Sequence, residues 1–481
     1  MKRNLRILAM VVFAMMTTVS TFAREVGDTF YLTDGDGNKY YFEVLTVPTE
    51  EVTNYTAKLY KYVQGGETPL TVLKGTYAGG FKLTSGDTYN VTEIGDEVFK
   101  DQVELDSVGN AASLVKIGKS AFEGCSKLRV FSPKAACASI VEFGDRAFYG
   151  CEKLFQLGNT TNAVKFGTSA NTGGKVAIGN EVFKNCSSIV YVSNNTNVIS
   201  IGEGSFENCT LLGSTDKGAF YSTWKIETIP ANAFKGCERM NSATFSAAKE
   251  VGSEAFLGVA DTTIITLPYQ ILSEELFNSQ GVVAKQMRAY VSFSSGNYLK
   301  VISCKVPINL NSGTMEVKYV KSVTESSDGV TVETEATPTK ALPSNTALLI
   351  HYIGTGTAPY WTFSVLSKEP SVDYTNYLEP AIEEATLPAS DGTTNYYTFA
   401  TTTPADKTEA ADFNTFKKVV EPTTIDACSG YLKLVNGTPT AIRELKVDNP
   451  NADVYYDLNG VRVDHPKKGI YIRNGKKVVV K

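Results

Sequence analysis

The residues best equipped for chemistry in this 481-residue chain are eight cysteines, two histidines and a few adjacent carboxylates. Cys125, Cys151, Cys186, Cys209 and Cys237 recur at one repeating position, while Cys137, Cys304 and Cys428 stand apart with no paired spacing. No C-x-x-C is present, which removes zinc-ribbon and thioredoxin-like chemistry. With only His351 and His465, sites built on three or more histidines are excluded by count. Glu274/Glu275 and Glu383/Glu384 are sequence neighbours. Neighbours face opposite sides of a strand and lie about 100° apart on a helix, so neither pair is preorganised for glycoside hydrolysis. G-x-S-x-G, H-E-x-x-H and phosphate-loop motifs are absent. Asp34-Gly35-Asp36-Gly37-Asn38 starts like a calcium loop, but Leu45 stands where the bidentate glutamate belongs. Strand-like alternation flanks that run, so a hairpin turn is expected. No catalytic residue, metal site or cofactor is assigned, and the expected protein is not an enzyme.

What remains for these residues is position. Apolar residues make up 42% and charged residues 20%, enough to bury a core and exclude global disorder. Residues 1–23 combine a basic start, an apolar run from Ile7 to about Met16 and a small-residue site ending at Ala23, the three parts of a secretory signal. The run is too short to span a bilayer, which takes about 20 residues. Net charge is −5, and −8 once Lys2, Arg3 and Arg6 leave with the leader. An evenly spread acidic balance without a basic stripe argues against nucleic acid as a partner.

A short motif organises the first half. An apolar residue precedes a phenylalanine by five positions in eight copies, from Ile94/Phe99 and Ile117/Phe122 to Val251/Phe256 and Leu272/Phe277. The five cysteines follow three residues after the phenylalanine, and apolar pairs such as Leu128/Phe131 and Leu154/Leu157 follow at six and nine. Phe-to-Phe spacing varies from 21 to 35, so register is fixed within units and length varies between them. Such a unit cannot close a core alone and must stack on its neighbours as a solenoid. Segments such as 128–131 suit one strand per coil, and 118–122 suit a short helical turn with Gly118 at its tight start. The cysteines then form a ladder of buried free thiols. The outermost copies carry Gln102 and Gln280 at the cysteine position, as a polar terminal face requires. The longest interval, 149–182, reads as an inserted loop.

Ile117-Gly118-Lys119-Ser120-Ala121-Phe122-Glu123-Gly124-Cys125-Ser126-Lys127-Leu128 resembles the hallmark of BspA-like leucine-rich repeats of Bacteroidetes secreted and surface proteins. The resemblance covers about residues 81–285 and implies an adhesin-like, host-interacting protein without fixing a ligand. Residues 24–80 would form an N-terminal β cap. Over 286–446, short Thr-, Val- and Tyr-rich runs separated by turn clusters predict an all-β sandwich-like domain. Residues 447–481 predict a terminal β-hairpin and are similar to type IX secretion sorting domains, which implies the export machinery as a partner.

The expected fold class is therefore mainly β with short helical turns: a leucine-rich-repeat solenoid, a sandwich-like domain and a terminal hairpin. The expected function is recognition of a host or bacterial surface protein by an exported solenoid. Asn159, Asn162 and Asn171 on the 149–182 insertion are the ligand-binding candidates. Tyr352, Tyr360 and Trp361 form an alternative aromatic face for polysaccharide, weighed against their filling a sandwich core. A secreted hydrolase and a structural envelope protein are the remaining alternatives.

Overall fold

In the computed structural model the described residues are 25–49, 54–83, 86–132, 139–160, 163–166, 176–193, 195–213, 223–293, 299–310, 312–326, 329–353, 360–370, 374–399 and 416–439. Strand backbone is also described at 443–444, 455–456, 462–463, 469–473 and 476–480. The leader, Cys137, Asn162 and Asn171 lie outside them. The chain divides into two compact units, Met1–Tyr290 and Val291–Lys481.

The first unit opens with an antiparallel meander, Thr29–Thr33, Lys39–Thr46 and Tyr55–Val63. Asp34 makes the first turn: its carboxylate accepts the N–H groups of Asp36 and Asn38 at 3.0 and 2.9 Å. The hairpin expected from that run is present. Tyr55–Val63 then pairs in parallel with Thr88–Ile94, which starts the solenoid.

Each coil contributes two short strands. A first parallel ladder stacks Ile94, Ile117, Phe143 and Ile178 in register, and all four are buried. A second ladder runs from Val72–Leu73 through Ser107–Val108, Val130–Phe131 and Gln156–Leu157 to Val192–Ser193. It begins inside the segment assigned to the cap. At the other end Met287–Ser292 pairs in parallel with Ile264–Pro268, so the repeat continues to the unit boundary at Tyr290.

The segments between strands are not the helical turns expected from sequence. Two residues in each coil adopt left-handed backbone, two before and two after the phenylalanine: Ser120 (φ 52°) and Gly124 (φ 74°) around Phe122, Arg146 (φ 58°) and Gly150 (φ 72°) around Phe148. This alternation splits the N–H groups. Ala121 donates to Gly118 within its own turn, whereas Phe122 donates to the Ala147 carbonyl of the next coil at 2.8 Å. The turns thereby form a third intercoil ladder, which a helix would forbid because it spends its N–H groups on itself. Among the described residues the last repeat has an α-helix in place of the turn, Glu274–Gln280, with the Ser273 hydroxyl accepting from Leu276 N–H at its start.

The 149–182 interval is more than a loop. Val164–Lys165 enters the second ladder between Leu157 and Val192, and Phe166 is buried edge-on against Phe143. The ladder gains a rung there that the first ladder lacks, since Phe143 still pairs directly with Ile178.

The second unit is a β-sandwich. One antiparallel sheet holds Leu299–Ser303, Ala347–Tyr352, Met315–Ser326 and Gly329–Ala336, and another holds Glu379–Ala381, Ser429–Val435, Thr394–Phe399 and Phe416–Lys418. Leu299, Val301, Val320 and Leu349 from the first meet Tyr397, Phe416, Leu432 and Leu434 from the second in one core. The tail backbone forms four antiparallel strands, Tyr455–Tyr456, Arg462–Val463, Gly469–Arg473 and Lys476–Val480, rather than one hairpin.

Candidate functional site

Every repeated residue type is used to hold one coil on the next. The phenylalanines form a continuous stack through Phe99, Phe122, Phe148, Phe183, Phe206, Phe234 and Phe256, with centroids 5.3 to 5.8 Å apart. The glycine after the leading apolar residue is there for space. A Cβ on Gly118 would lie 2.6 Å from the Gly95 carbonyl carbon of the coil before it. Asp96, Asp145 and Asn180 each accept, through the side chain, the backbone N–H of the corresponding residue one coil on, at 2.8, 2.7 and 2.9 Å.

The cysteines are donors in this framework. The Cys125, Cys151, Cys186 and Cys209 thiols each donate to the phenylalanine carbonyl one coil back at 3.1 Å, and Cys237 does so at 3.2 Å. Burial raises all five, Cys125 to about 12. A nucleophile must be thiolate, so these groups are inert. Seven described cysteines are free thiols. Sequence reasoning found the buried ladder and missed the thiol–carbonyl bond, which explains why Cys rather than Ala or Val occupies the position.

Charged residues between coils are likewise engaged. Lys100, Glu123, Arg146, Glu181, Lys184 and Glu207 form one alternating chain along the turns, with Glu123–Arg146 at 2.8 Å and Arg146–Glu181 at 2.6 Å. Hydrogen bonding from Arg146 pulls Glu123 down to about 2, with burial opposing. Arg146 also lies over the Tyr149 ring at 3.7 Å. These carboxylates are structural ion-pair partners. Among the described residues no group of three or more His, Cys, Asp or Glu side chains is placed to hold a metal ion.

What the framework leaves over is the edge where coil length varies. Two long intervals fall between a second-ladder strand and the next first-ladder strand, after Phe131 and before Glu142 and after Leu157 and before Val176; a third, between Leu212 and Thr228, carries the further strand Thr223–Trp224. Asn159 sits on that edge and is exposed. The structure does not bring the three sequence-assigned asparagines together as a described site, because Asn162 and Asn171 lie outside the described residues. In the second unit Tyr352 is 2% exposed, with its ring centroid 3.8 Å from that of Trp361. Trp361 is half-buried and meets Phe293 edge-on. Tyr360 lies in the strand Tyr360–Val365. Tyr352 thus presents no ring face to solvent.

The sandwich has a separate cleft of about 480 Å³, lined by Phe293, Lys300, Thr398, Phe399, Asp426 and Ser429. Burial holds Lys300 below its ordinary value, against the opposing pull of Asp426.

Residues 92–211 and 172–282 match the BspA type leucine rich repeat region in six copies. The match falls on the solenoid and covers less than half of the chain. Solved structures similar to the chain include a T. pallidum leucine rich repeat protein, 22% identical over 45% of this chain and 86% of that one, TM-score 0.31. A leucine rich cell surface protein from Faecalibacterium prausnitzii is 16% identical over 50% and 79%, TM-score 0.23. The pneumococcal vaccine antigen PcpA is 14% identical over 52% and 84%, TM-score 0.22. Among curated proteins none matches.

Proposed function

We propose that the chain is an exported, non-catalytic binding protein, surface-held or secreted, whose BspA-type solenoid recognises a protein of the host or of another bacterium. The observation that carries this reading is the variable edge on a framework whose repeated residues are spent on holding coil to coil. Insertions in a solenoid collect on one face, which is free to vary because no coil packing depends on it. The targeting pattern of residues 1–23 supports export, and the tail's likeness to sorting domains supports delivery by that route. No described helix is long and apolar enough to cross a membrane.

The test is binding of the processed chain to immobilised host matrix proteins. Residues 167–175 are replaced by a Gly-Ser linker and combined with Asn159→Ala, leaving the Val164–Lys165 rung in place. The expected result is saturable binding that weakens by about tenfold or more in the variant at unchanged thermal stability, a loss of about 1.4 kcal/mol. Undiminished binding would remove the edge from the interface.

A further inference from the structure

The outer face of the N-terminal sheet carries residues that neither the framework nor the variable edge uses. Alternation sends Phe30, Tyr40, Phe42 and Val44 into the core, all buried, and leaves Tyr31, Lys39, Tyr41 and Glu43 on the other face. Register sets Tyr31 opposite Tyr41, and Tyr41 opposite Lys61. A slip between Tyr41 and Phe42 in the second pairing inserts Tyr60 as an extra residue, and its ring stands beside Tyr41 too. Three partly exposed rings therefore cross three strands in a row, with centroids 5.4 Å apart for Tyr31–Tyr41 and 6.3 Å for Tyr41–Tyr60. Lys39 Nζ lies 5.2 Å from the Tyr31 ring centroid and Lys61 Nζ 5.3 Å from that of Tyr41.

The charge balance of this face differs from that of the chain. Lys58 stands in register with Glu43 on one side and Glu93 on the other. Lys39 and Lys61 face the rings instead and form no ion pair among the described residues. On a protein of net charge −5, this leaves a locally cationic row of aromatic rings, tilted by 38° and 59° from one to the next.

We propose that this face binds a linear polysaccharide bearing uronate groups. The tyrosine rings take the apolar faces of consecutive sugars, and the two ammonium groups pair with carboxylates along the chain. Two separated cations suit a glycan with a carboxylate on alternate sugars. A densely sulfated chain calls for a cluster of arginines and lysines, which this face does not have. The site is independent of the protein-binding edge and stands or falls separately from it.

The test is calorimetric titration of the full processed chain with a hyaluronan octasaccharide. Cellohexaose, heparin octasaccharide and a poly-glutamate peptide are the comparison probes. The expected result is saturable hyaluronan binding that weakens with salt. It should also weaken about tenfold in the Lys39→Ala/Lys61→Ala double variant, in which one half-buried and one exposed lysine are removed and folding is checked by the melting transition, and in Tyr41→Ala. Should Tyr41→Ala unfold the cap, Tyr31→Ala at the edge strand provides the ring readout. Absence of saturation, indifference to the lysine pair or to ring removal, or equal affinity for any comparison probe would overturn the proposal.

Discussion

Glu123 shows how a single side chain ties three coils. It accepts from Arg146, which bonds onward to Glu181, and it lies 3.6 Å from Lys100. Its folded value near 2 lies below the ordinary 4.5, so the contribution is complete above about pH 4.5 and is lost as pH falls toward 2. Glu123→Gln should cost about 1–2 kcal/mol at neutral pH and flatten the acid limb of the stability profile. Urea melts at several pH values would show it, and parallel wild-type and variant profiles would refute it. The cysteines give a second expectation. Cys151→Ala removes a buried sulfur and leaves the Phe122 carbonyl one donor short, at a cost of about 1–3 kcal/mol. A thiol reagent should label none of the five ladder cysteines before unfolding; rapid labelling of the native protein would contradict their burial.

At the scale of the element, coil spacing is set by residues that have almost nothing to add. Gly202→Ala would place its Cβ 2.5 Å from the Asn180 backbone nitrogen and from the Gly179 carbonyl carbon. The coils must separate, at a cost of about 2–4 kcal/mol, which chemical denaturation measures directly. The last repeat, whose turn is a helix, needs a substitute for the carbonyl that other turns offer to the coil before them. Gln280 supplies it: its Oε1 accepts the buried Phe256 N–H at 3.2 Å and its Nε2 donates to the Gly252 carbonyl at 2.9 Å. Gln280→Ala should cost about 1–3 kcal/mol and loosen the last coil first, visible as faster hydrogen exchange at Phe256 than at Phe206. The periodic Phe, Cys and apolar positions made the solenoid legible, because stacking demands the same residue in every coil. Part of the turn geometry was also written in the sequence. The residues two after each phenylalanine are Asp101, Gly124, Gly150, Asn185, Asn208, Gly236 and Gly258, all types that tolerate left-handed backbone. The positions two before include Glu97, Arg146 and Glu181, whose types carry no such signal. That is why a helical turn was the natural expectation and an alternating turn the result. Val164–Lys165 was hidden for another reason: two residues are too few to show a period.

Across the whole molecule, the packing framework and the proposed binding edge draw on different residues of the first unit. The packing residues explain the fold and are used up by it, while unit length varies along one edge. The candidate site was legible only as an interval, since ligand choice rests on side chains that no stacking rule constrains. The sequence favoured core filling over a platform for the aromatic trio of the second unit, and burial of Tyr352 is a tertiary fact that its neighbours in sequence do not announce. The most direct test of the central claim uses the two units apart, residues 24–290 and 291–481, each shown to be folded by its melting transition. Both are titrated at physiological salt against host matrix proteins and against polysaccharides. Saturable binding of a matrix protein by the solenoid unit alone is the expected result. Protein binding confined to the sandwich unit would contradict it and reduce the solenoid to a spacer.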